Sequence, residues 1–323
     1  MMQFYKKREF GNLVSDTFLF FKLYGKNYFK NYFLINGILL ILLVALFVFG
    51  YREFFMQLFA GNTSGNSYYF EQYFEDNVGM LVTLVVALFM LVLAVSIISY
   101  SFPIFYMKRV SEKETLNVKP DEIVSDIKQN IGRILILILG LVFIVTPAFL
   151  VVLSISYVLV LVVIGFFLLF LLVPTCMNIV NFLLFDYLQT KKGFFESLSF
   201  AIRAQFSYKH QGEKSPYWKY WGTTATIYFI IYIVTLIFTL IPMFFLFGSS
   251  LLVPSSNGGF EQNPMQGTMG IIFFLIYGVS MLVSFTLMNV LLVASGLMYY
   301  DNRTDLHQQV DLIEIDSIGT NEA

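Results

Sequence analysis

The chain has 323 residues, of which 58% are apolar and only 13% are charged, and its formal net charge is −1. An ordinary soluble domain carries about 25% charged residues, so this composition excludes a soluble enzyme, a disordered chain and a secreted disulfide-rich domain. One cysteine and two histidines cannot form a disulfide framework or a Cys- or His-based metal centre, and the near-neutral charge gives no reason to expect nucleic-acid binding. We therefore expect an integral membrane protein without a cofactor.

The first predicted element is an amphipathic helix at residues 10–29, followed by an apolar run at residues 32–50. A bilayer core needs about 20 apolar residues in a helix, so this run predicts a membrane span. Helical spacing places the following apolar side chains on one face of the first helix: Phe10, Leu13, Val14, Phe18, Phe21 and Tyr28. Lys22, Lys26 and Lys30 lie off that face, as is typical of a helix at a membrane surface.

The middle of the chain predicts spans at residues 80–107, 131–154 and 157–185, with a short amphipathic helix at 120–131. Pro120, which is followed by two acidic residues, is typical of a helix start. The last two spans nearly touch, and no glycine, proline or charge marks a turn between them. We expect a hairpin at about residues 155–156 from length alone, because the combined apolar run is too long for one span.

The last third of the chain predicts an amphipathic helix at residues 193–208, spans at 220–247 and 269–298, and a polar cytoplasmic tail at 304–323. The predicted fold is all-α, a polytopic bundle of six transmembrane helices with three cytoplasmic-side interfacial helices. Residues 1–303 then form a single membrane domain. The tail is a short helix, an exposed partner-binding peptide or a disordered segment. Each amphipathic helix precedes a pair of spans, which fits either an internal threefold repeat or three separate membrane anchors.

The basic residues are sorted between the two sides of this predicted bundle. Nineteen of the 20 lysines and arginines lie before the first span, in the two connections that carry amphipathic helices, or after the last span, whereas Arg52 lies on the other side. The positive-inside rule then places both termini in the cytoplasm and the loops 51–78 and 248–270 outside. We expect a multi-pass protein of a bacterial cytoplasmic (inner) membrane.

The predicted site residues are lipid contacts and helix kinks, and none is catalytic, cofactor-binding or metal-binding. Eight basic side chains beside the spans are expected to contact anionic lipid headgroups: Lys22, Lys26, Lys30, Lys128, Arg133, Lys191, Lys192 and Arg203. Four prolines inside spans are expected to kink their helices: Pro103, Pro147, Pro174 and Pro242. No ionisable residue lies near the middle of a span, and we expect Arg133 and Asp186, at span ends, to reach the interface.

Several short motifs resemble those of a known group of membrane proteins. They are GNLVSDTF at residues 11–18, Asp186-Tyr187 with KGFFESL at 192–198, and Tyr-Tyr-Asp at 299–301. These motifs resemble uncharacterised bacterial multi-span proteins of the family related to the membrane domain of glycerophosphodiester phosphodiesterases, and the high Phe, Asn, Lys and Tyr content resembles that of Bacteroidetes proteins. The resemblance implies a cytoplasmic-membrane protein of six or more helices with interfacial helices. It does not imply phosphodiesterase activity, which in such enzymes belongs to a separate soluble domain for which we see no candidate.

These observations predict a non-enzymatic integral membrane protein that organises lipid or serves as a scaffold or accessory subunit of a membrane complex. Its partners would be membrane lipids, with a membrane-protein partner left open. The alternative is a transporter or permease component for an apolar or amphipathic solute, in which proline-kinked spans expose backbone to the solute. A membrane enzyme would need an acid or a nucleophile, and Asp186 is the candidate near a span.

Overall fold

The computed structural model describes residues 2–64, 69–113, 116–206, 215–252 and 267–319, with side chains described outside residues 51–70, 242, 245–270 and 305–323. Within these residues the fold is almost entirely helical and contains no strand. Six of its helical segments are long and apolar enough to cross a membrane. These findings confirm the all-α polytopic bundle and a multi-pass membrane protein.

The described helices are, in chain order, α1 (Phe10–Ser64), α2 (Tyr69–Asp76), α3 (Val78–Lys113), α4 (Pro120–Gln129), α5 (Ile131–Gly140), α6 (Thr146–Val158), α7 (Ile164–Gln189), α8 (Phe194–Phe206), α9 (Tyr217–Leu252) and α10 (Gly267–Gly319). The π-helical turn Leu141–Val145 joins α5 and α6 into one span. The other five spans lie in α1, α3, α7, α9 and α10.

Residues 10–29 form the first part of α1 rather than a separate interfacial helix. The helix continues without interruption into the predicted span 32–50, so the expected break between the two elements does not occur. Neither proline nor glycine lies between residues 29 and 32 to end the helix. Asn31 in this interval donates a hydrogen bond to the carbonyl of Val118 (2.7 Å) instead of capping a helix end.

The buried face of α1 agrees only in part with the predicted apolar face. Leu13 and Tyr28 are buried as expected, whereas Phe10 and Phe18 are exposed. The buried positions follow a spacing of three or four residues: Leu13, Thr17, Phe20, Tyr24, Tyr28 and Tyr32. A helix that is apolar on several sides leaves the choice of its packed face to its neighbours.

The other two predicted interfacial helices are separate elements. α4 ends at Gln129, two residues earlier than predicted, because Asn130 leaves the helical conformation. α8 covers residues 194–206, and the predicted remainder, residues 207–208, lies outside the described residues. The predicted polar tail is helical as far as Gly319, since α10 continues through it, and residues 320–323 lie outside the described part.

The hairpin between the third and fourth spans is present, but its turn lies at residues 159–163, later than predicted. A 3₁₀ turn, Leu159–Val162, is followed by Val163 with a φ of 66°, which is unusual for a β-branched residue. Gly165 packs so closely under the turn that a β-carbon there would overlap the carbonyl oxygen of Ser156. Gly165, which leaves room for the turn, lies after it in the sequence. The residues where we expected the turn therefore contain no glycine to mark it.

The prolines predicted to kink the spans occupy different settings. α3 and α7 continue through Pro103 and Pro174, both of which are buried. Pro147 is separated by Thr146 from the π-helical turn, a local irregularity of the kind that bends helices. Pro242 lies in α9 among the residues whose side chains are not described. The kinks at all four prolines stay predictions.

The chain forms two compact units, each assembled from separate segments. Unit 1 comprises Met1–Tyr32, Tyr100–Phe229 and Asn289–Ala323, and unit 2 comprises Phe33–Ser99 and Ile230–Met288. The centre of unit 1 is aromatic: Tyr28 packs edge-to-face against Phe102 and Tyr106, with ring centroids 5.0 and 4.9 Å apart. Such pairs contribute about 0.5–1.5 kcal/mol beyond the burial of their area.

Candidate functional site

A buried ion-pair group in unit 1 surrounds Asp186 near the end of α7, and we call Asp186, Lys192 and Arg303 the Asp186 group. Asp186 is fully buried. Its Oδ1 accepts a hydrogen bond from the guanidinium of Arg303 on α10 and lies 3.5 Å from the hydroxyl of Tyr299. Lys192 Nζ lies 3.7 Å from Oδ2. The expectation that Asp186 reaches the interface was therefore wrong, because two cations compensate its charge inside the fold.

The ring of Phe200 on α8 lies against both cations of the Asp186 group. The guanidinium carbon of Arg303 is 4.5 Å from the ring centroid, and Lys192 Nζ is 5.2 Å from it. Cation–π contacts of this kind contribute from about 0.5 kcal/mol at exposed sites to about 2 kcal/mol when desolvated. Through Phe200, these contacts fasten α8 to the Asp186 group at the end of α7 and inside α10.

A second buried carboxylate, Asp301 on α10, has three donors, and we call Asp301, Lys219, Tyr220 and Arg8 the Asp301 group. Its Oδ1 accepts a hydrogen bond from the backbone N–H of Arg8 at 2.6 Å. Its Oδ2 accepts from Lys219 Nζ at 2.7 Å and from the hydroxyl of Tyr220 at 2.6 Å. Lys219 also donates to the carbonyl of Arg8 at 3.0 Å. These bonds tie the chain before α1 to the start of α9 and to Asp301 inside α10.

The side chain of Arg8 closes the chain before α1 into a loop. Its guanidinium donates to the carbonyls of Gln3 (2.5 Å), Phe4 (2.7 Å) and Lys6 (3.1 Å), and to Asp16 Oδ2 at 2.8 Å. Arg8 is almost completely buried, so each of these hydrogen bonds replaces one that its guanidinium would otherwise make to water. The guanidinium is thus a structural centre for residues 3–8, although Arg8 was not among the predicted site residues.

Polar side chains join the membrane-spanning parts of unit 1. Asn178 accepts a hydrogen bond from Thr224 (2.5 Å), and Asn181 donates to Ser295 (2.8 Å). These two bonds link α7 to α9 and to α10. Hydrogen bonds between membrane helices contribute about 0.6 kcal/mol on average, so they set the register of the helices more than they stabilise them.

Arg133 lies at the start of α5 and caps the end of α7. Its Nη2 donates to the carbonyl oxygens of Tyr187 (2.5 Å), Lys192 (2.9 Å) and Thr190 (3.1 Å). Its guanidinium also lies 4.2 Å from the ring centroid of Tyr187. A helix end leaves carbonyl groups without partners, and a cation there satisfies them and interacts favourably with the helix dipole. The guanidinium of Arg133 thus bonds carbonyl oxygens inside the protein, and a lipid headgroup would have to compete with these hydrogen bonds.

A further ion-pair network fastens α4 to the end of α3. The guanidinium of Arg109 donates to both oxygens of Asp126, each at 2.7 Å, and Lys113 Nζ donates to Glu122 at 3.1 Å. The hydrogen bond from Lys113 is the main cause that lowers the pKa of Glu122 below its ordinary value. These ion pairs hold α4 against α3. α4 also carries Lys128, one of the predicted headgroup contacts.

The eight predicted headgroup contacts divide into two classes. Two are half-buried and engaged inside unit 1: Arg133 with backbone carbonyls, and Lys192 with Asp186. The other six are exposed: Lys22, Lys26, Lys30, Lys128, Lys191 and Arg203. The division could not be made from sequence, because it depends on which acidic or carbonyl oxygens lie nearby in space.

The Asp186 group and the Asp301 group hold separate segments of the chain together. Each buried aspartate faces a cation, and each cation comes from a different chain segment. Among the described residues, no three His, Cys, Asp or Glu side chains come close enough to hold a metal ion. The sequence had pointed to Asp186 and to the Tyr-Tyr-Asp motif that contains Asp301, but nothing in it indicated Arg8 or Lys219 as their partners.

Comparison of the chain with protein-family models, curated proteins and solved structures found no match.

Proposed function

We propose that this protein is a non-enzymatic, multi-pass protein of a bacterial inner membrane that gathers anionic lipid around itself, with both termini in the cytoplasm. We also propose that the chain is related to the family of the membrane domain of glycerophosphodiester phosphodiesterases, which its motifs resemble. A role as scaffold or accessory subunit would use the same lipid-ordering surface.

The observation that carries the proposal is the row of Lys22, Lys26 and Lys30 on α1. The three side chains are exposed and follow one another at every fourth residue, so they form one ridge along the helix. In the described part of the chain, no carboxylate forms an ion pair with any of them. Leu19 and Leu23 beside the ridge are also exposed. A basic row next to exposed apolar side chains suits a lipid headgroup above its hydrocarbon.

Electrostatics sets the expected size of the effect. Each basic residue near an anionic membrane surface contributes about 1 kcal/mol. Three such residues acting together correspond to roughly 3 kcal/mol, or about a hundredfold preference for anionic over zwitterionic lipid at low salt. Because these charges are exposed, salt screens them and the preference should fall as ionic strength rises.

The test is the composition of the lipid that remains bound after purification from mixed vesicles of phosphatidylglycerol and phosphatidylcholine. We expect phosphatidylglycerol to be enriched around the wild-type protein and to lose that enrichment in the triple variant Lys22→Gln/Lys26→Gln/Lys30→Gln. The matched control Lys22→Arg/Lys26→Arg/Lys30→Arg retains the charge and should retain the enrichment. Equal retention of both lipids by the wild-type protein would refute the proposal.

The transporter alternative draws on Pro174 and the polar residues that follow it. Their hydrogen bonds run to neighbouring helices: Thr175 pairs with Tyr217 (3.0 Å), and Asn178 with Thr224. These bonds favour a structural use of the polar side chains over a solute pathway. Flux of an amphipathic solute into proteoliposomes that is lost in Pro174→Ala would reverse this preference.

A further inference from the structure

An apolar groove in unit 2 lies between α1 and α10. Its volume is about 550 Å³, within the range of roughly 300–1,000 Å³ that ligand sites occupy. The residues that line it come from positions 33–41 of α1 and 282–287 of α10, and they include Phe33, Gly37, Ile41, Leu282, Thr286 and Leu287. All of them belong to membrane-spanning segments.

The groove arises because α1 and α10 pack tightly at one level and leave space at the next. At the tight level, a β-carbon on Gly278 would lie 2.7 Å from a methyl group of Val44 and 3.1 Å from one of Val48. Val48 and Phe274 are buried together there. At the level of the groove, Gly37 has no side chain to fill the space between the helices.

The lining selects for hydrocarbon and against water or a polar solute. Thr286 is the polar side chain among the lining residues, and its hydroxyl already donates to the carbonyl of Leu282 at 2.8 Å. A buried water needs two to four polar partners, which this lining does not offer. Ile38 and Ile41 at the rim are 72% and 64% exposed, so the groove opens sideways onto the surface that faces the bilayer.

The length of the groove matches one lipid leaflet. Residues 33 to 41 of α1 rise about 12 Å along the helix axis. The hydrocarbon core of a bilayer is about 30 Å thick, so one leaflet is about half of that. The groove is therefore long enough to contact most of the length of one acyl chain in a leaflet.

We propose that this groove is a binding site for one acyl chain of a membrane phospholipid, held there independently of the headgroup. The inference goes beyond the proposed function, which concerns headgroup charge at Lys22, Lys26 and Lys30. A chain seated in the groove fills space between α1 and α10 that the side chains leave open, and it remains bound when loosely associated lipid is removed.

Gly37 offers a direct way to fill the groove. A β-carbon at this position would meet one neighbouring atom, Phe33 Cβ at 3.7 Å, an ordinary contact distance. Gly37→Ala is therefore compatible with the packing and leaves most of the groove open, whereas the side chain in Gly37→Leu occupies it. Gly79→Leu is the matched control, because Gly79 is an exposed glycine of the same unit with no atom within 4 Å of its added β-carbon.

The experiment is native mass spectrometry of protein reconstituted with phosphatidylcholine alone and then stripped with detergent in steps. We expect one phosphatidylcholine to remain on the wild-type protein, Gly37→Ala and Gly79→Leu, and its occupancy to fall at least tenfold in Gly37→Leu. Thr286→Phe fills the groove from α10 and should give the same loss if Gly37→Leu fails to fold. Undiminished occupancy in folded Gly37→Leu or Thr286→Phe overturns the proposal.

The same variants separate this site from the proposed function. Phosphatidylcholine carries no net charge, so the lysine-to-glutamine triple variant should keep the retained lipid while losing phosphatidylglycerol enrichment. Gly37→Leu should show the opposite pattern. If the triple variant also loses the retained phosphatidylcholine, the site depends on the headgroup and the proposal is wrong.

Discussion

Unit 1 and unit 2 hold apolar helices together by different forces. In unit 1, two buried aspartates meet cations from other segments, and amide and hydroxyl side chains bond between helices. The ion pairs among the described residues all lie in unit 1. In unit 2, α1 and α10 meet through glycine, valine and phenylalanine at Gly278, Val44 and Phe274. One buried hydrogen bond, from Asn36 Nδ2 to Ser99 Oγ (2.9 Å), joins α1 to α3 in the same unit. The difference teaches that buried ion pairs help to fix helix positions in unit 1, whereas α1 and α10 in unit 2 are held by close packing, which leaves a groove where it is incomplete.

The largest effect should follow from removing the buried charge of Asp186. Asp186→Leu leaves the guanidinium of Arg303, whose side chain is only 17% exposed, without its carboxylate partner. Breaking a largely buried ion pair in this way costs about 3–5 kcal/mol. Thermal unfolding in detergent should show a strongly lowered midpoint. The double variant Asp186→Leu/Arg303→Met removes both charges and should recover most of the loss. A single variant as stable as the wild type would show that the Asp186 group does not hold unit 1 together.

A smaller effect is expected from one hydrogen bond of the Asp301 group. Tyr220→Phe removes the donor at 2.6 Å from Asp301, and loss of a hydrogen bond to a charged group costs about 1.5–3 kcal/mol. Tyr232→Phe, at an exposed tyrosine of unit 2, is the matched control and should leave the unfolding midpoint unchanged. Equal midpoints for the two variants would contradict the role given to the Asp301 group.

Unit 2 should respond to added volume instead of lost charge. The methyl group in Gly278→Ala would lie 2.7 Å from Val44, and overpacking of this kind costs about 1–3 kcal/mol. Gly79→Ala adds the same methyl group where no atom lies within 4 Å and should not lower the unfolding midpoint. Should both variants behave alike, close packing at Gly278 would not be what holds α1 and α10 together.

The smallest effect concerns the exposed ion pair of α4. The hydrogen bond from Lys113 lowers the pKa of Glu122 from its ordinary value of 4.5. The stability it contributes is therefore present above pH 4.5 and is lost as the pH falls through the lowered pKa. Because the pair is exposed to solvent, we expect less than about 1 kcal/mol. The unfolding midpoints of wild type and Glu122→Gln should differ slightly at pH 7 and converge towards pH 3; a gap that widens on acidification would contradict the assignment.

Particular elements show where sequence reasoning succeeded and where it stopped. The two spans between residues 131 and 185 were predicted by length, yet their turn was misplaced, because Gly165 acts by packing under residues that precede it. The amphipathic stripe of α1 predicted a helix, but Phe10 and Phe18 are exposed while Phe20 and Tyr24 are buried. For the candidate site, Asp186 stood out as an acid at a span end, whereas its pairing with Arg303 could not be foreseen.

The sequence by itself determined the class of protein and the number of spans. These follow from the length of apolar runs, which is a local property of the chain and needs no knowledge of contacts. The tertiary structure alone decided which charges are buried and paired, since Arg8 and Asp301 are 293 residues apart and Asp186 and Arg303 are 117 apart. It also decided that α1 and α10 leave a groove, because unfilled volume depends on how two distant helices meet and not on the composition of either one.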